Sequence, residues 1–486
     1  MKGLLKPKPF FPFFKKKTDV LPANLAPRIR TKSVPGPKSL KLAESLRRFE
    51  CPQITYLSDS FPVFLERAWG ANAVDADGNR FLDLTSCFGV AGIGHSSPAV
   101  VEAVKRQSRI MIHGMGDVHP NALKAELAER LAQVTPGNLS QTIFSLTGAE
   151  AVESAMKTAV MHTKKSGLIA FDGGYHGLSY GALQATDRAD FKAPFARQLG
   201  KHVQHAPFPD PRIHGGKASE VSMKAVERLV KKAKRSPHPV GAVLIEPIQG
   251  RGGIRVAPPD FLKALRDFCD KQGILLIADE VFTGFGRTGA MFAVEKSGIV
   301  PDLLCVGKGL GGGLPISACV GSAKVMRSWG VSSGDAIHTS TFLGHPLASA
   351  AALAVLREIE SKKLVERSRT LGESFRRELH RLKSVHALIG DVRGSGLMIG
   401  LELNEPLGGA PGGRSRKPQG PPPATAQART FVLESLRAGL LVLACGPAHN
   451  VISITPPFVL TEKDIRLVVG AFDRILKKIG QGGFSV

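Results

Sequence analysis

No uninterrupted apolar run in this sequence reaches the roughly 20 residues that a membrane-spanning helix needs, so no span is expected. Cysteine is sparse: Cys51, Cys87, Cys269, Cys305, Cys319 and Cys445 form no CxxC pair and sit singly in apolar surroundings. That pattern argues against a disulfide frame or thiolate metal site and for buried thiols in a reducing compartment, the cytoplasm. Histidines predict no metal either, since His202 and His205, the nearest to a cluster, lack ligand-type partners. The opening MKGLLKPKPFFPFFKKK is broken by Pro7, Pro9, Pro12 and a lysine run. It has neither the apolar region nor the small-residue cleavage site of a secretory signal. A GxGxxG loop after the first strand of a βαβ unit is missing, which disfavours a nicotinamide-dependent oxidoreductase. Internal repeats are absent.

Acidic residues are outnumbered, 41 Asp and Glu against 65 Lys and Arg, for a formal net charge of +24. The excess is concentrated: residues 1–50 hold thirteen Lys/Arg and three Asp/Glu. Another basic run, Lys231, Lys232, Lys234 and Arg235, closes a helix-like segment, where cations suit the helix C-terminus. No aromatic residues interleave with these charges as a single-strand platform requires, so no specific nucleic acid partner is expected. A non-catalytic interaction protein using the basic N-terminal arm remains an alternative to an enzyme.

A chain of 486 residues buries a large core and is expected to form more than one domain. Residues 1–38 read as a basic, Pro-rich arm, disordered or loosely docked. Residues 39–118 begin helically at Ser39, and Phe64 to Leu84 reads as a hairpin around Asp75-Ala-Asp-Gly78. Strand–helix alternation over 119–360 predicts a large α/β domain with a mostly parallel sheet. Its strand candidates are Thr142–Leu146, Leu168–Phe171, Val240–Glu246, Ile274–Ala278, Leu303–Val306 and Ala318–Gly321. Helices are expected at Ala151–Lys164 and Asp260–Lys271, the latter with Phe261, Leu262, Leu265 and Phe268 at helical spacing. Residues 361–486 return to a small domain, interrupted by a Gly/Pro-rich, flexible insert at 404–428.

Chemistry concentrates between Gly273 and Pro315. One apolar run delivers Asp279 and Glu280 to a strand end, and a second delivers Lys308 beside Gly309, Gly311, Gly312 and Gly313. Strand ends of an open sheet are where ligands bind. A lysine in so dry a setting loses basicity and becomes a nucleophile toward carbonyls. Upstream, Thr147-Gly148-Ala149-Glu150 has capping-box spacing, and small residues leave the helix N-terminus open to a phosphate. FDGGYHG, residues 171–177, sets a Tyr-His pair on a Gly-rich turn after a strand.

The string DEVFTGFGRTG followed by KGLGGGLP resembles the class III aminotransferases, pyridoxal-phosphate enzymes of fold type I, and especially those acting on 4-aminobutyrate and other ω-amino groups. WGANAVDADGNRFLDLTS, TGAEAVESAMKTA, EPIQGRGG, HTSTFLGHPLASAAALAVL and LLVLACGPAHNVISITPPF are similar to further stretches of that family, over roughly residues 55–480. The resemblance implies a seven-stranded sheet domain with a small α+β domain from both chain ends. It implies that Thr147, Gly148 and Ala149 hold the cofactor phosphate, and that Tyr175 and Val281 flank the ring, with His176 beside it. Asp279 would keep the ring nitrogen protonated, and Lys308 would carry the cofactor as a Schiff base and shuttle the proton. Thr341 would reach the cofactor of a neighbouring subunit in a homodimer or higher homo-oligomer.

Departures from the family fall on substrate positions. Leu178 and Ser453 stand where two carboxylate-binding arginines are usual, Arg251 replaces the glutamate that pairs with the second, and Phe282 replaces a glutamine. Phe88 is grouped with them as a substrate contact. Arg251 either restores one positive charge to the pocket or lies outward. The activity implied is exchange of an amino group between an amine or ω-amino donor and an oxo acid. Decarboxylases and aminomutases with the same lysine and aspartate are the alternative. A donor with fewer carboxylates than 4-aminobutyrate is expected, such as a diamine, an amino sugar-like group or a hydrophobic amine.

Overall fold

The computed structural model describes residues 24–406 and 421–481. β1 (Leu65–Trp69), β2 (Asn72–Asp75) and β3 (Arg80–Asp83) make an antiparallel meander. Phe64–Leu84 is therefore three strands, not one hairpin: Gly70, at φ +52°, turns the chain before the Asp75 turn does. The second turn is tied by the Asp75 carboxylate, which accepts from the Asp77 and Asn79 amides.

The large domain holds β4 (Leu139–Ser145), β5 (Gly167–Phe171), β6 (Val203–Ala206), β7 (Val240–Ile245), a short β8–β9 pair (Ile248–Gln249 and Arg255–Val256), β10 (Leu275–Asp279), β11 (Leu303–Val306) and β12 (Ser317–Ser322). Seven of these form one sheet in the order β4-β12-β11-β10-β7-β5-β6. All are mutually parallel except β12, which runs against both of its neighbours. Every residue of β7, β10, β11 and β12 is buried, as expected of apolar strands covered by helices on both faces. Helix Gly148–Thr163 packs Ala151, Val152, Ala155 and Ala159 into the cluster of Leu244 and Ile277. Helix Pro259–Gln272 contributes Phe261, Leu262 and Leu265 to the core that holds Ile245 and Leu276. Each such side chain stabilises the fold by roughly 1.5–3 kcal/mol on burial.

The remaining strands are β13 (Ile389–Ser395), β14 (Met398–Leu403), β15 (Leu440–Leu441), β16 (Leu443–Cys445) and β17 (Val451–Ile454). Four form an antiparallel sheet ordered β13-β14-β17-β16, while β15 pairs parallel to β3 and so joins the two chain ends.

Two expectations need correction. Residues 24–36 are docked, not loose: Asn24 donates to Val459 O at 2.9 Å, the Leu25 amide to Asn72 Oδ1 at 2.8 Å, and Arg28 bridges Arg80. Residues 1–23 lie outside the described residues. The insert also ends sooner than 428, because Thr425–Arg437 is a helix that packs Ala428 and Phe431 into the core, with Ala424 buried at its start. Residues 407–420, its Gly/Pro-rich part, lie outside the described residues. No helix of the described residues is long and apolar enough to cross a membrane.

Candidate active site

Because β4 and β11 both run against β12, the C-terminal ends of β4, β5, β7, β10 and β11 open on one edge of the sheet. β10 ends in Asp279, β11 leads through Gly307 to Lys308, and β5 leads to the Tyr175-His176 turn. β7 leads to Glu246, and β4 to Thr147.

Asp279 is buried, with Oδ2 2.7 Å from His176 Nδ1 and Oδ1 accepting from the Val281 amide at 3.1 Å. Burial by itself lowers the His176 basicity, but the hydrogen bond and charge of Asp279 prevail and raise its pKa. His176 is thus biased toward imidazolium, a cation set directly against Asp279 Oδ2. Burial depresses the Lys308 pKa against the opposing charges of Asp279 and Glu246, with Arg251 nearby adding to the depression. Among the described residues, no carboxylate forms an ion pair with Lys308. Its Nζ lies 4.4 Å from the Phe282 ring centroid instead. A lysine held this way has the basicity of a nucleophile toward carbonyls.

Glu246 is a participant that the sequence reading missed. Its Oε1 accepts from the Tyr175 amide at 2.9 Å and its Oε2 from the Gly250 amide at 3.0 Å. One buried carboxylate therefore ties the Tyr175 turn to the segment carrying Arg251. Burial pushes the Glu246 carboxyl up to about 7, with His176 opposing and Asp279 reinforcing. The signal available was a glutamate directly after a fully apolar strand. Glu280 takes no part in the cluster: its oxygens accept from the Ala293 and Val294 amides at 2.7 and 2.8 Å and from the Thr283 hydroxyl at 2.7 Å.

Thr147 and Glu150 form the expected capping box, and the helix begins at Gly148, three residues before the predicted Ala151. Among the described residues, the Gly148 and Ala149 amides have no hydrogen-bond acceptor. Val281 packs so closely that a Cβ at Gly148 would stand 2.7 Å from its Cγ1, so only glycine fits.

A cavity of about 140 Å³ adjoins the cluster, lined by Phe88, Arg251, Phe282 and Ser453 with Leu443, Cys445 and their neighbours. Arg251 therefore faces inward. Its guanidinium carbon lies 5.1 Å from the Tyr175 ring centroid and 5.7 Å from that of Phe191. Leu178 is 48% exposed and does not line this cavity, nor does Thr341, which is exposed. Phe88 sits on a left-handed turn, with φ of +47°, +48° and +60° at Ser86, Cys87 and Phe88. Such a run stores strain and persists only where neighbours enforce it. The neighbours are Arg287, fully buried, which donates to Ser86 Oγ at 3.3 Å and to Pro456 O at 2.6 Å, and the Thr455 carbonyl. Beside the turn, Asp83, Cys87 and His95 approach one another. His95 Nε2 is 2.7 Å from Asp83, while burial and Asp83 push the Cys87 thiol up to about 11, a protonated and poor ligand. A larger hollow of about 550 Å³, between Met156, Val160 and Trp329, holds none of the groups at the strand ends.

The profile of the family described as aminotransferase class-III matches residues 55–476. The 5-aminovalerate aminotransferase DavT of Pseudomonas aeruginosa is 37% identical over 426 residues, 85% of this chain and 94% of that protein. The 4-aminobutyrate aminotransferase GabT of Escherichia coli is 36% identical over 409 residues, 83% of this chain and 91% of that one. Among solved structures, an amine transaminase from an uncultivated Pseudomonas species, in its PLP-bound form, is similar with a TM-score of 0.79. It is 29% identical, and the match covers 89% of this chain and 98% of that chain. With a family profile spanning most of its length and relatives that it covers almost end to end, this chain belongs to the class-III aminotransferases, fold-type-I enzymes that transfer amino groups with pyridoxal phosphate.

Proposed function

We propose that this enzyme takes amino groups from a donor poor in carboxylates, a diamine or hydrophobic amine, and passes them to an oxo acid. The observation that carries the reading is the wall of the cavity beside Lys308. Phe88, Phe282, Leu443 and Cys445 line it, and Ser453 stands there where the family resemblance expects an arginine. Among the described residues, Arg251 is the one cation on that lining, so a donor carboxylate lacks the second guanidinium that the family resemblance expects, and each charge-assisted hydrogen bond lost costs roughly 1.5–3 kcal/mol. The names of the relatives favour a second reading, a 4-aminobutyrate or 5-aminovalerate donor. Steady-state rates with putrescine and 4-aminobutyrate separate the two: higher kcat/KM for putrescine is expected, and a clear preference for 4-aminobutyrate overturns the proposal.

The residues fit pyridoxal phosphate. Two unclaimed amides at a helix N-terminus, a buried carboxylate hydrogen-bonded to His176 and a lysine free of ion pairs among the described residues are the donor set it needs. Gly148 and Ala149, with Thr147, would hold the phosphate, and Tyr175 and Val281 would flank the ring. When bound, the cofactor supplies an aldehyde that takes up amines and a ring that accepts electrons from a carbanion. Asp279, oriented by His176, would hold the proton on the ring nitrogen. Lys308 would hold the cofactor and would serve as general base and acid for the proton at the substrate carbon. Phe282 keeps water from that amine.

The assembly in this reading is a homodimer in which Thr341 serves the neighbouring site. Its support is an exposed apolar group, Ile110, Ile112, Met115 and Val118, with Phe342 beside Thr341 also exposed. A reducing compartment such as the cytoplasm suits six free cysteines, four of them buried.

A further inference from the structure

We infer that Arg251 is the carboxylate anchor of this site and that the acceptor it selects is a short monocarboxylic 2-oxo acid. The inference rests on the reading of the chain as an exchanger of amines and oxo acids.

Arg251 is the guanidinium at the cavity that lacks an acid. Nearby Arg188 pairs with Asp190 at 3.1 Å, and Arg393 pairs with Asp391 at 3.0 Å and Glu402 at 2.6 Å. Among the described residues, no carboxylate pairs with Arg251. Its guanidinium carbon lies 5.1 Å from the Tyr175 ring centroid and 5.7 Å from that of Phe191, and among the described residues its N–H groups donate to no acceptor, which leaves them for an anion. The position is also fixed from behind, because Glu246 holds the amides of Tyr175 and Gly250 together. A cation set against two aromatic rings, on the lining of a cavity whose Phe282 wall also meets the reactive amine, can receive an oxyanion in bidentate fashion.

The count of charges then sets the substrate class. Phe88, Phe282, Leu443 and Ser453 carry no charge, and Lys308 is committed to the exchange itself. A dicarboxylic oxo acid would bring a second carboxylate with no cation to meet it, and an unpaired carboxylate is costly to desolvate. The cavity, about 140 Å³, also favours a small acid. One anchoring cation therefore selects one carboxylate.

The test measures the acceptor half-reaction of the holoenzyme, previously loaded with an amino group, using pyruvate and 2-oxoglutarate on wild type, Arg251→Met and Arg251→Lys. Calorimetric binding of unreactive propionate is measured on the same proteins. Wild type should prefer pyruvate by at least about tenfold in kcat/KM, and Arg251→Met should lose roughly 30-fold on pyruvate, chiefly through KM. That loss should exceed any loss in the donor half-reaction at least about tenfold, and Arg251→Lys should recover part of it. Propionate binding should weaken in parallel with KM. Equal propionate affinity in wild type and Arg251→Met overturns the assignment, whether or not the protein turns over, and a preference for 2-oxoglutarate overturns the acceptor class. Propionate binding that depends on Arg251 in a protein that moves no amino group supports the anchor and removes the transaminase reading instead.

Discussion

At the scale of single residues, the site is a balance between burial and charge. His176 is raised because its hydrogen bond to Asp279 and the charge there outweigh burial, whereas Lys308 is depressed because burial outweighs the carboxylates around it. Glu246 and Glu280 are buried without a cation among their hydrogen-bond partners, and burial pushes each up to about 7 from an ordinary 4.5. For both, the folded chain binds a proton more tightly than the unfolded chain across that window. Stability therefore falls as pH rises from about 4.5 to 7. Glu280→Gln removes one of the two contributions. Denaturant unfolding at intervals from pH 4.5 to 8 should show a shallower decline in the variant. It should also show a loss of about 1–3 kcal/mol at the acid end, where one amide of the Ala293–Val294 pair loses its acceptor. An unchanged slope would mean that Glu280 is ionised throughout.

Elements decide whether those residues meet. The apolar strands were legible in the sequence, since Leu303–Val306 matches its prediction and the others shift by one to three residues. β6 was not, because Val203–Ala206 is a short edge strand, only one of its residues is buried, and it carries no apolar rhythm. The Ala-rich segment after Pro423 looked like low-complexity filler, yet small residues are what allow helix Thr425–Arg437 to pack closely. Of the site, Lys308, Asp279 and the Thr147 cap stood out as motifs beside strand ends. Glu246 did not, because its work is done through backbone amides, one of them that of Tyr175, far from it in the chain. The helix at Thr147 depends on Gly148 meeting Val281. Gly148→Val should cost about 1–3 kcal/mol by overpacking. It should also abolish the rise in melting temperature that added pyridoxal phosphate gives wild type. Thermal melts with and without the cofactor measure both, and a variant still stabilised like wild type would clear that helix N-terminus of a binding role.

For the whole molecule, the two chain ends are tied together through β15 on β3 and through Asn24, which donates to Val459 O and to the Asp464 carboxylate. Those long-range pairings could not be read from local pattern, which saw only a basic arm and a returning tail. The exposed apolar group at Ile110 to Val118 belongs to this scale too. Ile112→Asp should lower the sedimenting mass from that of two chains to one. Because the proposed sites share Thr341, activity should fall by at least about tenfold, as for an interface hot spot. A variant that remains dimeric, or a fully active monomer, would refute the shared site.

The central claim is that one amine, Lys308, carries the cofactor opposite Asp279. Borohydride reduction of the purified holoenzyme, followed by peptide mapping, tests it most directly. The pyridoxyl mass should fall on the peptide containing Lys308 and be absent from Lys308→Ala. A label on another lysine, or no label on a protein supplied with the cofactor, would contradict it.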